Sequence, residues 1–405
     1  MSTRRIFLRD SALAMVGFGA APAWMQRAVY AAGESRRKKI LVTIFQRGAA
    51  DGLNTVVPFR EKAYYALRPL IAVPQPGQSE GALDLNGEFG LHPALEPLKN
   101  LYQEKLLAIV TAAGSPDPTR SHFDAQDYME SGTPGRKATR DGWLNRLLPR
   151  DASVSPVRAI SIGPGLPRSL RGASSAVALN TVQNFRVRDE AAGMALQSMY
   201  AATQDTELSG AGKETFEALR LLESLRAQNY TPANGAAYPA ARLGASLKQI
   251  AQLIKSDVGV EVAFADMGGW DHHTNELARL PNMLREFGSS LAAFAQDLGD
   301  RMADVVVVTM SEFGRTVREN GSGGTDHGHA NSMFVIGGPV AGGQIYGKWP
   351  GLNQEQLYEG RDLAITTDFR NVLGEVVTGH MGLPNVGKIF PEFQAAQARI
   401  GLIKA

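Results

Sequence analysis

The chain has 405 residues, 44% hydrophobic and 20% charged, with a formal net charge of +2 and no cysteine. The missing thiols exclude disulfides, thiolate metal ligands and a cysteine nucleophile, so stability must come from a sizeable core. With no broad basic face and a near-neutral charge, no nucleic-acid partner is indicated.

The first segment reads as an address. Thr3-Arg4-Arg5-Ile6-Phe7-Leu8-Arg9 precedes an apolar stretch from Ala12 to Ala23, too short to span a bilayer, and small residues at Ala31 and Ala32 offer a cleavage site. Residues 1 to 31 are therefore expected to be a twin-arginine signal peptide, with a retained membrane anchor as the alternative. The implied partner is the twin-arginine translocase, the implied location is the periplasm or the exterior, and no stable membrane span is expected in the mature chain. Removing this segment removes four arginines and one aspartate and leaves the mature chain near neutral. Arg36 to Lys39 read as a solvated flank before the first strand.

Short β-branched runs then recur at Ile40 to Phe45, Leu106 to Thr111, Ala159 to Ile162, Val260 to Phe264, Val305 to Thr309 and Met333 to Ile336, each the length of a buried strand. Helical spacing appears between them. Leu243, Leu247, Ile250, Leu253 and Ile254 mark one apolar face, Leu284, Phe287, Leu291, Phe294 and Leu298 another, and Leu219, Leu222 and Leu225 a third. Strands separated by helices predict an α/β fold of three layers, α/β/α, with a largely parallel central sheet. Residues 164 to 240 lack strong strand signals and read as an insertion or cap within one domain covering 32 to 405.

The polar motifs fall just past the strands. RGAADGLNTVVP (47 to 58) follows the first run, SPDPTRSHFDAQD (115 to 127) the second, GGWDHHTNE (268 to 276) the fourth, and SEFGRT (311 to 316) the fifth. In an open parallel sheet the carboxyl edge binds ligands, so these distant segments are expected in one crevice. Five of the seven histidines lie in three motifs, SHFDAQ, GGWDHHTNE and GTDHGHAN (324 to 331), and the last two pair histidine with aspartate. Imidazole and carboxylate are the usual ligands of zinc and manganese, which points to a divalent metal site of one or two ions. His272 and His273 are neighbours and point to opposite sides of an extended segment, which favours His273 as the partner of Asp271. His327 and His329, two apart, project to one side.

Alternatives stand beside several residues. Asp51 precedes Gly52 and equally makes a turn; Ser121 with Asp124 resembles a helix cap, which is compatible with a nucleophile at a helix start. His122 reads as ligand, acid or packing residue. Arg315 and Arg120 offer a two-point clamp for an anionic substrate, and His92 and His380 stand alone as structural histidines.

The Asp51 opening, SHFDAQ, GGWDHHTNE, SEFGRT and GTDHGHAN together resemble a family of twin-arginine-exported bacterial proteins of unknown function, grouped with the alkaline phosphatase and sulfatase superfamily. The resemblance implies an alkaline phosphatase-like fold with metal at the carboxyl edge of the sheet. It makes Asp51 the first-strand ligand, Ser121 or Thr119 the nucleophile, Asp271 with His273 a ligand pair, and His327 or His329 the final histidine. Where such enzymes carry Asp-His-Gly, this chain has Glu312-Phe313-Gly314, and phenylalanine cannot ligate, so either one strong site remains or Asp326-His327 folds back to restore the second. The expected ligand set is thus Asp51, Asp271, His273, Glu312, Asp326, His327 and His329, with Ser121, His122 and Arg315 catalytic. The expected function is an exported metal-dependent hydrolase of phosphate or sulfate esters acting on an anionic small-molecule or envelope substrate, or a catalytically inactive, metal-stabilised envelope binding protein. Transfer of a head group to an envelope glycan is a third reading, chemically close to the first.

Overall fold

In the computed structural model the chain is described over residues 38–149, 155–183, 190–226, 229–394 and 399–404. The export signal expected over residues 1 to 31 lies outside the described residues. Among the described residues no helix is long and apolar enough to cross a membrane.

Each of the six apolar runs forms a strand of one sheet. They are β1 (Ile40–Arg47), β2 (Leu107–Gly114), β3 (Ala159–Ile162), β5 (Val262–Gly268), β6 (Val305–Met310) and β7 (Asn331–Gly337). Three short strands complete it: β4 (Val177–Leu179), β8 (Gln344–Tyr346) and β9 (Thr367–Asp368). The order is β8-β2-β7-β6-β1-β5-β3-β4, with β9 paired to β2. Every pairing is parallel except those of β7, which runs against both β2 and β6.

Side chains alternate across a strand, so a run buried on both faces feeds two cores. On β1, Val42 and Ile44 join one core while Leu41 and Phe45 join the other. The first core takes the apolar faces of α1 (Glu96–Gln103), α5 (Arg242–Lys255) and α6 (Glu276–Leu298). The second takes Met129 of α2 (His122–Ser131), the short helix Trp143–Leu147 and α7 (Phe369–Glu375). This is the three-layer α/β/α arrangement expected from the alternation of elements. The span from 164 to 240 carries α3 (Glu190–Ala202) and α4 (Thr206–Arg226), and it also contributes β4 to the sheet edge, a strand its composition did not announce.

The loops that matter are pinned by aromatic packing. Phe287 of α6 is fully buried and stands edge-on to Trp270 at 5.9 Å and to Phe334 at 5.8 Å, which ties the 268–276 loop to both the helix and the sheet. Truncation there leaves a large void. Phe287→Ala is expected to cost about 3–5 kcal/mol, read as a lower midpoint in denaturant unfolding, and a loss below about 1 kcal/mol would contradict this packing role.

Candidate metal centre

The parallel register aligns the ends of β1, β5 and β6. Phe45 stands opposite both Asp266 and Met310, so the loops after these strands leave on one edge. The reversed strand β7 does the opposite of its neighbours: its first residue, Asn331, pairs with Ala113 near the end of β2. Its amino end therefore lies at that edge, and it is the segment preceding β7 that is delivered there. The excursion from 311 to 330 folds back on itself, with an antiparallel bridge between Arg315 and His327. Gly324 permits the close packing of this excursion on the 268–276 loop, because a Cβ there would stand 2.4 Å from the His272 carbonyl oxygen.

Three imidazoles meet at that edge. His122, at the start of α2, places Nδ1 2.8 Å from Glu312 Oε1. His273 places Nδ1 3.0 Å from Asp326 Oδ1, and His327 places Nδ1 2.9 Å from the Arg120 carbonyl oxygen. All three partners are acceptors, so in the neutral imidazole with its proton on Nδ1 each Nε2 carries the lone pair, whereas in the protonated ring Nε2–H donates to Asp271. These Nε2 atoms turn toward one carboxylate. Asp271 Oδ1 lies 2.9 Å from His273 Nε2 and 3.3 Å from His327 Nε2, and Oδ2 lies 3.5 Å from His122 Nε2. The Nε2 atoms of His273 and His327 are 3.0 Å apart, within hydrogen-bond distance, and His122 Nε2 is buried with no hydrogen-bond partner among the described residues.

Asp271 is held from behind. Arg315, whose side chain is fully buried, donates Nη1 to Asp271 Oδ1 at 2.8 Å and Nε to Thr325 Oγ1 at 3.2 Å. Burial works against the Asp271 charge, but the Arg315 hydrogen bond and charge, together with the neighbouring imidazoles, outweigh it and hold the carboxyl below its ordinary value. The hydrogen bond to Glu312 raises the His122 pKa, whereas burial lowers that of His327. Phe313 packs against the His122 and His327 rings at 5.0 Å each and closes one side of the cluster.

These residues fit a divalent ion. Ligand atoms about 2.0–2.1 Å from a tetrahedral ion stand about 3.3 Å apart, close to the separations of 2.9 to 3.5 Å just given. Each imidazole also carries the outer hydrogen bond that ligating histidines need. His122, Asp271 and His327 together offer three ligand atoms within 4.8 Å of one another, and His273 adjoins them. A set of imidazoles with one carboxylate suits zinc or manganese.

Other expected site residues are placed differently. Asp51 caps the helical turn Gly52–Thr55 through Oδ1 and accepts from Arg68 Nη1 through Oδ2, with both side chains at most 1% exposed, so it is committed inside the fold. Glu312 is buried and accepts from Gly48 N, Gln126 Nε2, Ser311 Oγ and His122, so it orients an imidazole instead of offering a ligand atom. Asp326 does the same for His273 and also accepts from Asn320 Nδ2 at 3.1 Å. His329 is buried and stacks on Tyr358 at 4.3 Å, outside the group. Neither arginine is placed as a clamp: Arg315 lies behind Asp271, and the Arg120 guanidinium is taken by Glu359 and Asp362. Ser121 is the exposed N-cap residue just before α2 and makes no side-chain cap bond, while Thr119 Oγ1 accepts from Ser121 N. His92 caps a turn and His380 bonds the Ile40 carbonyl; burial brings both down to about 4.

Sequence reasoning missed the residues behind Asp51. Arg68 donates to Asp51, to Asn54 Oδ1 and to the carbonyls of Thr316 and Val317. Glu276 accepts from Thr325 Oγ1 at 2.9 Å, and burial together with the Asp51 charge pushes its pKa well above the ordinary value. Arg68 carried no signal in its sequence surroundings. Glu276 is the last residue of GGWDHHTNE and was visible only as part of that motif.

The architecture and this donor set describe an α/β protein with a histidine-rich centre at the carboxyl edge of its sheet. The chain belongs to the family described as Protein of unknown function (DUF1501), whose model matches residues 108–390. No curated protein matches it. Among solved structures it is similar to Ps i-CgsB in complex with k-i-k-neocarrahexaose, with 9% identity over 86% of this chain and 73% of that one and a TM-score of 0.40. It is also similar to the PsFucS1 sulfatase from Pseudoalteromonas sp., with 12% identity over 95% and 78% and a TM-score of 0.38. A third is alkaline phosphatase from the Antarctic bacterium TAB5, with 9% identity over 77% and 95% and a TM-score of 0.34. Likeness at that level transfers no chemistry to this chain.

The Glu312–His122 pair has a pH signature in the metal-free protein. His122 is raised, so its contribution is full below the unfolded imidazole value and is lost as pH rises through the folded one; Glu312 is lowered despite burial, so its contribution is lost as pH falls through its folded value. The pair therefore stabilises between those two limits. Glu312→Gln is expected to lower the His122 titration midpoint in imidazole NMR of chelator-treated protein, and an unmoved midpoint would refute the orienting role.

Proposed function

We propose that the chain is an exported, metal-dependent hydrolase of phosphate or sulfate esters, built around a single centre held by His122, Asp271, His273 and His327. One observation carries this reading: three imidazoles with Nδ1 engaged by acceptors turn their Nε2 atoms on one carboxylate. Lone pairs 3.0 Å apart repel unless a cation or a proton lies between them. Export rests on the twin-arginine pattern at Arg4 and Arg5 with its following apolar stretch and on the translocase that reads it.

When bound, a divalent ion supplies Lewis-acid charge that neutralises ester oxygens and acidifies a hydroxyl beside it. The rest falls to the chain. Arg315 keeps Asp271 ionised and oriented, and Glu312, Asp326 and the Arg120 carbonyl fix the imidazole tautomers. Phe313 keeps water from one side. Ser121, exposed and uncapped where α2 begins, is the candidate nucleophile, since the amino end of a helix favours the anionic form of an attacking oxygen and of the ester it meets.

The commitment of Asp51 to Arg68 and of Glu312 to four donors favours a second reading, a metal-stabilised envelope binding protein without turnover. Elemental analysis and a panel of aryl phosphates, phosphodiesters and sulfates separate the two. One ion per chain is expected, falling at least tenfold in His327→Ala, and Ser121→Ala is expected to lower kcat at least 100-fold with metal retained. A chain without metal refutes both readings. A metal-loaded chain silent across the panel refutes the hydrolase and leaves the binding protein.

A further inference from the structure

Beside the imidazole cluster lies a cavity of about 210 Å³, framed by Leu357, Gln354, Asn320, Asp326, Arg318 and Arg361. It shares a wall with the metal centre. Asp326 reaches His273 Nδ1 on one side while lining the cavity on the other, and Arg361 Nη2 donates to the His327 carbonyl oxygen at 2.8 Å. The volume is below the roughly 300–1,000 Å³ of pockets that bury a whole drug-sized ligand, so it suits one portion of a larger substrate.

Its acids are already engaged. Asp326 Oδ1 accepts from His273 and Asn320, and Glu319 Oε2, also in the lining, accepts from the backbone of Leu70 and Ile71 at 2.9 and 3.0 Å. Its bases are less so. Arg318 is exposed, and no described residue bonds its guanidinium; Arg361 spends Nη2 on one carbonyl, and its Nη1 stands 3.5 Å from an Asp362 carboxylate that Arg120 already holds. Two arginines with spare guanidinium N–H groups line one small cavity, and their planar forks match the geometry of an oxyanion.

We propose that this cavity is the recognition subsite of the same centre and takes an oxyanion, a carboxylate or sulfate borne on a polar group the size of one sugar ring, through Arg318 and Arg361. The proposal rests on the hydrolase reading for its place in catalysis: the ester would lie at the imidazoles while a second, unreacting anionic group of the same substrate is held next door. Such a group adds binding shared by ground and transition states and so appears chiefly in KM.

Three probes test it on the full chain by calorimetry, with and without chelator: glucuronate, which has both ring and charge; glucose, the ring alone; and inorganic sulfate, the charge alone. Glucuronate is expected to bind at least tenfold more tightly than glucose, to keep that affinity in chelator, and to lose at least fivefold in Arg318→Gln, a change at an exposed side chain without partners. Sulfate is expected to compete with glucuronate in chelator. Arg361→Gln gives a second reading from the other fork and is expected to weaken glucuronate at least as much. Equal affinity for glucuronate and glucose, no competition by sulfate, or an Arg318→Gln chain that binds like the parent overturns the subsite. Metal content measured on the same samples keeps the two ideas apart: metal present with glucuronate binding absent refutes the subsite alone, and metal absent with Arg318-dependent glucuronate binding intact refutes the hydrolase reading alone.

Discussion

Three hydrogen bonds on the far side of three imidazoles set the character of this molecule. A neutral imidazole has one N–H and one lone pair, and fixing the first fixes where the second points. Glu312, Asp326 and the Arg120 carbonyl each take an Nδ1–H, and each sits on a different segment of the carboxyl edge. The lone pairs are therefore aimed by the fold, before any ligand arrives. That preorganisation is what separates a metal centre from a chance group of polar side chains, because the cost of orienting the ligands is borne by folding.

Behind this front lies a second polar layer. Arg315 joins Asp271 to Thr325, Thr325 joins Glu276, and Glu276 adjoins the buried Asp51–Arg68 pair. A buried ion pair is weak grounds for stability, since desolvating two charges offsets most of their attraction. Its consequence here is chemical. The Arg68 guanidinium balances the charge of Asp51 inside the fold, and burial beside Asp51 pushes Glu276 toward its neutral form. Where the related enzymes would carry an imidazole, the Phe313 ring packs on His122 and His327.

Much of the scaffold was legible in the chain. The six β-branched runs became strands and the leucine-rich faces of 243–254 and 284–298 became α5 and α6, because burial on both faces leaves a compositional mark. The strands at Val177–Leu179, Gln344–Tyr346 and Thr367–Asp368 left none, being two or three residues long at the sheet margin, where pairing replaces composition. Asp271, His273 and His327 could be named as ligand candidates from residue type alone. Glu312 and Asp326 could be named too, but their task of orienting imidazoles was hidden, because a carboxylate that binds metal and one that holds a histidine look alike in sequence.

By itself, the sequence determined the layered α/β architecture, the edge at which polar motifs collect, and the histidine and aspartate chemistry found there, since periodicity and residue type are local properties. The tertiary structure decided which of seven candidate ligands face one another. It turned Asp51 toward Arg68, set His329 on Tyr358, and brought His122 beside His327 across 205 residues of chain. It also reversed β7, so that the segment before that strand, not the one after it, reaches the site. Such outcomes depend on strand order, direction and register, which arise from contacts between distant segments and leave no pattern in any single stretch of sequence.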